Sequence, residues 1–425
     1  MSKPVSSVPL YARVLIGVTV GIVLGVVFGD QPYLLGLSNK DFGPLGMLVI
    51  RLLKALATPL VCLAILDSFL KTSISMTSGL RLLAVCTVNI GVAMLLGLTI
   101  LWWFDPGSSW HGHLSELEAV KAAPAAVAPD GTSLSPLKNL AGFVPESVVE
   151  PFSKNLVISV VLLSVLAGAA LRFSRDQAGG VGESIELLGR LIEASLAVVT
   201  RMLLWVAEAM PVAVALIIAD VVGKSGIGVF KVLWVFLATT LAGLLIHSLV
   251  YYPLVAWGVG RKSPAILFGK GLDAVVTAVS CNSSLATMPV TLKCLKDMGV
   301  SERAARLSAC VGTNFNNDGI MLYEAMATLF LCQALGFDLD LGQQITVVAA
   351  AVMAGVGIAG IPEAGLVILP LVLTAAGIPE ATIAVMIPLI VPVDWIIARV
   401  RSGVNVLADM TVATVLNRWE HDEPT

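Results

Sequence analysis

The sequence predicts an all-α protein embedded in a membrane. Of its 425 residues, 57% are hydrophobic and only 13% charged. That is about half the charged share of a soluble domain, and mean hydropathy is +0.92. The long apolar runs are interrupted at helical rather than alternating spacing, which argues against a β-barrel. At roughly 20 apolar residues per crossing, the chain is long enough for about eight to ten spans. Hydropathy at this level excludes an ordinary cytosolic enzyme and a disordered chain. A net charge of -3 with no basic stripe excludes a nucleic-acid binder.

The first apolar run, 12–29, follows Lys3 and Arg13 and reads as a retained span, not a cleaved signal. Its Gly17, Gly21 and Gly25 suit close helix contact. Further spans are expected at 43–70, 79–104, 152–172, 188–223 and 228–259. The fifth is too long for one plain crossing, so a strong tilt or an extension past the bilayer is expected. Pro59 and Pro211 predict kinks. Lys71 and Arg81, then Arg172, Arg175 and Arg190, then Arg261, Lys262 and Lys270 fall in alternate loops. Those loops, and both termini, are expected on the cytoplasmic side, in a cell (inner) membrane. The Ala/Pro-rich stretch within 105–150 reads as a flexible outer loop. The six cysteines lack metal-ligand spacing and read as packing residues.

After residue 262 the apolar stretches shorten around polar clusters: "TAVSCNSSLATMPVT", "GTNFNNDGIMLYEA", "GVGIAGIPEAG" and "VDWIIARVRSGVNVLADM". A helix broken at mid-membrane is tolerable only inside protein or beside a water-filled cavity. Two interrupted segments, 263–300 and 342–376, are each followed by a polar-dotted helix, at 303–333 and 380–416. That pattern points to a transporter built from inverted repeats.

The last helix carries Asp394, Ala398, Arg401, Asn405 and Asp409, spaced four, three, four and four residues apart and so on one face. Each ionised group near a membrane centre costs roughly 2.5–3.5 kcal/mol on insertion scales. Three such groups on one face imply a polar track. Arg401 would meet an anion, while Asp409 and Asn405 help bind a cation. In the seventh helix, Asn316, Asn317, Asp318 and Gly319 are expected to unwind the backbone and free carbonyl oxygens. Those carbonyls and the Asp carboxylate are the hard ligands a small cation prefers.

"NNDG", "GIAGIPEAG" and "RSGVNVLAD" resemble signature segments of the dicarboxylate/amino acid:cation symporters, the glutamate-transporter family. The resemblance runs in span order over the whole chain and is most specific over 265–416. It implies eight transmembrane helices plus two re-entrant helical hairpins, assembled as a homotrimer whose transport domain moves like an elevator past a scaffold. Residues 1–262 would supply six helices, the third and sixth belonging to the transport domain, and 263–425 the core of that domain. By the same resemblance, Arg401 would pair with the substrate's side-chain carboxylate beside Ser402 and Asn405. Ser283 and Ser284 at the inner hairpin tip would meet its other carboxylate. Gly360, Ile361, Pro362 and Gly365 would form the outer gate. Asn316, Asn405, Asp409 and the Gly312 carbonyl match one Na+ site, and Asn316 with Asp318 another. Glu324 matches a glutamate tied to proton movement.

The sequence also departs from the family pattern. Asn317 replaces a usual Met, and Ile320 the Thr after the motif. Asn89 and Ile90 stand where third-helix Thr/Ser help ligate Na+. Ala398 stands where amino-acid carriers place the acid that holds the substrate's amino group. The expected activity is therefore symport of a small dicarboxylate with Na+ and H+ as candidate coupling ions; an acidic amino acid is the alternative substrate. Asp394, on the same face as Arg401, is counted with the substrate group. Glu363 reads as a solvent-facing charge and His247 as a structural histidine. No enzyme is expected: Ser283 and Ser284 lack a Gly-x-Ser-x-Gly elbow and a base.

Overall fold

Inside a bilayer a backbone must satisfy its own hydrogen bonds, and helices do this within one segment. Helix is accordingly the regular secondary structure throughout the residues that the computed structural model describes: 10–71, 76–108, 144–154, 156–175, 181–226, 229–337, 339–357 and 364–421. The middle of the expected outer loop, 109–143, and the second hairpin's tip, with Gly360, Ile361, Pro362 and Glu363, lie outside the described residues.

The first half runs α1 (Leu10–Phe28), α2 (Asn39–Lys71), α3 (Met76–Phe104), α4 (Val157–Arg175), α5 (Val181–Glu208), α6 (Met210–Ser225) and α7 (Val229–Ile246). A π turn, His247–Tyr251, continues α7 into α8 (Tyr252–Gly258). At the entry to α2 the Ser38 backbone N–H and hydroxyl both donate to Asp41 Oδ2 at 2.8 Å. The backbone bond first, then the hydroxyl, holds the exposed Asp41 carboxyl below the usual carboxylate range. Its contribution to stability is present at neutral pH and is lost as pH falls through that lowered value.

The stretch expected as one overlong fifth span is two helices, bent by 46° between 182–206 and 210–224. Pro211 opens the second of them. Its ring would clash with the carbonyl four residues earlier, so the bend falls there. Pro59, by contrast, lies inside a continuous α2. Among the described residues, Thr77–Phe104 and Leu233–Gly258 are each long and apolar enough to cross a membrane, and the bent pair makes a third such unit. Several other helices are shorter apolar pieces, among them Ala12–Phe28, Leu341–Val356 and Ala364–Ala375.

The glycines of α1 pack against α6, as their spacing predicts. A Cβ at Gly17 would run into the Pro211 carbonyl oxygen; at Gly21 it would lie 2.6 Å from Ala215 O, and at Gly25 2.6 Å from Val222 Cβ. The opposite side of α1 turns Ile16, Val23 and Val27 outward, more than half exposed, as a lipid-facing helix would.

The second half begins with α9 (Pro264–Cys281) and α10 (Ser284–Asp297), packed along each other and joined through Asn282 and Ser283. Asn282 takes a left-handed conformation (φ 51°, ψ 41°), which Asn tolerates better than most residues. The Ser283 hydroxyl then accepts from Ala286 N–H at 3.1 Å and caps α10. The expected seventh helix is divided into α11 (Glu302–Arg306), a π turn (Leu307–Val311), a 3-10 turn (Gly312–Asn314) and α12 (Asp318–Ala334). The break therefore lies at 312–317. Asp318 and Gly319, expected within it, form the first turn of α12. The second pair, α13 (Leu341–Gly357) and α14 (Ala364–Ala375), precedes α15 (Glu380–His421). α15 packs on α9, α10, α12, α14, α7 and α8 and is the centre of this half.

Gly21→Ala is expected to force α1 away from α6. The overpacking should lower unfolding free energy by about 1–3 kcal/mol. Thermal unfolding in detergent measures it; an unchanged midpoint would contradict the packing.

Candidate functional site

From Arg401 to Val415 nearly every residue of α15 is buried, so the helix has no solvent face there. Asp394, Ala398, Arg401, Ser402, Asn405 and Asp409 are all buried. The side chains around each of them therefore decide what it does.

Arg401 is 2% exposed. Its Nη1 lies 3.7 Å from Asp394 Oδ1, an ion-pair distance, and makes no hydrogen bond with the protein. The guanidinium carbon sits 4.5 Å from the centre of the Tyr323 ring, a cation–π arrangement. The neighbouring Glu324, fully buried, interacts electrostatically with both Arg401 and Asp394, and neither of its carboxyl oxygens is hydrogen-bonded. Gly365, at the start of α14, closes the group: a Cβ there would collide with Arg401 Nη1. One guanidinium thus faces two carboxyls in a buried site, with Nη1 free to donate to a further carboxylate. Tyr323 is absent from the sequence reading; its place beside Glu324 in "MLYEA" was the available signal.

The first hairpin reaches this group through its tip. Ser402 Oγ lies 3.1 Å from Asn282 Oδ1 and 3.0 Å from Ala398 O. Ser283 is occupied as a helix cap, whereas Ser284 Oγ is buried without a protein partner. Asn282, missed by the sequence reading, ties the tip to α15 next to Arg401.

The broken helix supplies a second group. Asp409 lies beside the side chains of Thr313 and Asn316, and its Oδ1 has no hydrogen-bond partner. Ser308 Oγ donates to Asp409 O at 2.6 Å, pinning the π turn to α15. Gly312, counted from the family pattern as a carbonyl ligand, already accepts from Phe315 N–H (2.7 Å) and Asn316 N–H (2.8 Å). Both lone pairs of its carbonyl are engaged, so the oxygen is not freed as the motif suggests. Asn405 Oδ1 accepts from Gly319 N–H at 2.9 Å. A Cβ at Gly319 would come within 2.8 Å of Arg401 O, so only glycine lets α12 start this close to α15. Asn317 donates to Gly355 O at 3.0 Å, fixing the break to α13. Thr313, which the sequence reading passed over, faces Asp409.

Asp318 points the other way. Its Oδ2 accepts from the Tyr252 hydroxyl at 3.0 Å and lies 3.3 Å from His247 Nε2, all three side chains being buried. Asn89 donates from Nδ2 to Asn316 Oδ1 at 3.3 Å and accepts from the Tyr251 hydroxyl at 2.8 Å. His247, read from sequence as structural, thus touches a residue counted in the cation group.

Comparison with known proteins places these motifs. Residues 10–419 match the family model described as the sodium:dicarboxylate symporter family. Excitatory amino acid transporter 1 of Homo sapiens is 36% identical over 292 residues, 68% of this chain and 52% of that protein. The chain thus spans about half the length of that relative. Excitatory amino acid transporter 1 of Ambystoma tigrinum is 29% identical over 96% of the chain and 82% of its own length. Excitatory amino acid transporter 3 of Mus musculus is 28% identical over 92% and 82%.

Removing the partner of a buried charge costs about 3–5 kcal/mol. Asp394→Ala should therefore destabilise the protein by that order. Glu324→Gln, which removes no hydrogen bond, should cost much less. Equal losses in thermal or denaturant unfolding would mean that Asp394 does not balance Arg401.

Proposed function

The chain belongs to the sodium:dicarboxylate symporter family, whose members are integral membrane transporters and not enzymes, and from that membership we propose that it is a secondary active symporter for a small dicarboxylate of the succinate, fumarate or malate kind, driven by Na+. The observation that carries the substrate class is Arg401 with its neighbour Ala398. The guanidinium suits a carboxylate, and the buried Ser284 hydroxyl at the hairpin tip suits a second one. Ala398, one turn from Arg401 and fully buried, has no side-chain acceptor for an ammonium group. A buried unpaired ammonium costs several kcal/mol.

A second reading, symport of glutamate or aspartate, is favoured by the names of the relatives, which are amino acid transporters. In that case Asp394 must leave Arg401 and take the ammonium.

Na+ enters at Asp409, with Asn316, Thr313 and Asn405 around it. Glu324 carries a proton in the same cycle: it sits in a fully buried group whose other charged or titratable members are Arg401, Asp394 and Tyr323, and loading an anion there adds negative charge to two carboxyls and one guanidinium. The basic loops support cytoplasmic termini in a cell (inner) membrane. Two helical pairs flanking a broken helix and α15 support an elevator-type transport domain, with the homotrimer following from family membership.

Competition in proteoliposomes under an imposed Na+ gradient decides the substrate. Succinate or malate should bind at least about tenfold more tightly than aspartate, ~1.4 kcal/mol, and Ala398→Asp should move the preference toward aspartate. Tight aspartate binding with no response to any four-carbon diacid would establish the amino-acid reading instead. For the proton, Glu324→Gln should flatten the pH dependence of uptake; an unaltered profile would leave Glu324 a packing role.

A further inference from the structure

Away from the buried groups, three helices of the first half leave a cleft of about 280 Å³ between them. α2 lines it with Asp67 and Leu70, α4 with Arg175, and α5 with Glu186, Arg190 and Glu193. The three helices pack on one another. Arg175 fixes one wall: its Nη1 donates to Leu70 O at 2.5 Å and so caps the end of α2.

The spacing on α5 explains the opening. Ile185 and Ile192, two turns apart, are buried and hold the helix against its neighbours. Glu186, Gly189 and Glu193 follow at i, i+3 and i+7 as a second stripe beside that buried face. Gly189 keeps the stripe open. A Cβ there would already lie 3.5 Å from Leu70 Cδ1, and a longer side chain would fill the space. On the far side Leu187 and Leu191 turn outward, 67% and 62% exposed, and Phe173 of α4 is 70% exposed. Arg190 stands between the charged stripe and these leucines.

The level of the cleft is set by where the helices end. α2 stops at Lys71 and α4 at Arg175, with Arg172 one turn before. Basic residues at the ends of apolar helices mark the headgroup layer of a membrane. The outward leucines and Phe173 are then the surface that acyl chains cover, and the cleft is where a headgroup lies.

The charges select the headgroup. Three carboxylates and two guanidiniums line one space. A purely anionic group meets more carboxylates than arginines, and a lone cation meets both guanidiniums. A zwitterion matches both signs. Ionised carboxylates only accept hydrogen bonds, so the cation that suits them has N–H groups to give. A quaternary ammonium has none and is held by aromatic rings instead. Among the described residues no aromatic side chain lines this cleft. We propose that the cleft binds the headgroup of a phosphatidylethanolamine, with the phosphate at Arg190 on the rim, the ammonium between Glu186 and Glu193, and the acyl chains along Leu187 and Leu191. The site is separate from the Arg401 group and independent of which substrate or ion the protein carries.

Native mass spectrometry of the purified full chain in detergent tests this, with dioleoyl phosphatidylethanolamine, phosphatidylcholine or phosphatidylglycerol titrated in. The first phosphatidylethanolamine should bind about fivefold more tightly than the first phosphatidylcholine, the scale of an exposed ammonium–carboxylate pair. Glu186→Gln combined with Glu193→Gln should abolish that difference and leave phosphatidylcholine binding unchanged. Arg190→Gln should weaken both. Equal binding of the two lipids by the unmodified protein overturns the proposal. So does a preference that survives in the double variant, since the amine would then be read elsewhere. Tightest binding of phosphatidylglycerol would make the cleft an anion site and reject it as well. Free O-phosphoethanolamine carries the same charged groups without chains; if it displaces the lipid at equal concentration, the ligand is a soluble molecule and the lipid assignment fails. A second copy of the chain seated on these helix ends would exclude all three lipids, and that result also rejects the proposal. If the double variant does not fold, Glu193→Gln alone must narrow the difference.

Discussion

Arg401 must keep its charge in a place that water does not reach. Arginine stays protonated at any pH the protein meets, and at 2% exposure solvent cannot offset its charge. An uncompensated buried charge would remove a large part of a domain's usual 5–15 kcal/mol of stability. The surrounding elements are arranged around that requirement. α15 brings Asp394 two turns before Arg401, and α12 brings the Tyr323 ring and Glu324. α14 carries Gly365 in its first turn because the guanidinium fills the space a side chain would need. The compensation stays incomplete in one direction, since Arg401 Nη1 makes no hydrogen bond with the protein. A carboxylate ligand would complete it, and this is the physical link from a buried ion group to the proposed anion transport.

The same economy governs the broken helix. A backbone interrupted between packed helices leaves amides and carbonyls that must be paired. Here Gly312 O receives two of those amides, Asn405 receives the Gly319 amide, and Asn317 reaches the Gly355 carbonyl. Side-chain amides do much of this work because they both donate and accept. A network satisfied on most sides is rigid. Among the atoms it leaves unpaired are Asp409 Oδ1, Asp318 Oδ1 and Asn316 Nδ2. The two carboxylates differ in their surroundings: Asp318 is bound on its other oxygen by Tyr252, and Asp409 is set beside Thr313 and Asn316.

By itself the sequence determined the class and most of the positions. Apolar runs at helical spacing specify helices because a bilayer offers the backbone no other local solution. Asn-Ser-Ser and Asn-Asn-Asp-Gly specify interruptions because Asn, Ser and Gly compete with or weaken helical hydrogen bonds. The three-glycine stripe of α1 specified a close contact, and the Asp394–Arg401–Asp409 spacing a buried polar track. Tertiary structure decided partners. The stripe did not say that α6 was its mate, and Pro211 did not say that a 46° bend would replace a tilt. The one-face spacing on α15 lost its meaning once the helix was buried all round. The roles of Asn89, Asp318, Gly312 and His247 depended on contacts up to 227 residues apart in sequence, such as Asn89 with Asn316. Local patterns record what a backbone segment can do on its own. Which buried oxygen is already bound and which is open depends on donors from distant helices, and those distances exist only in the folded chain.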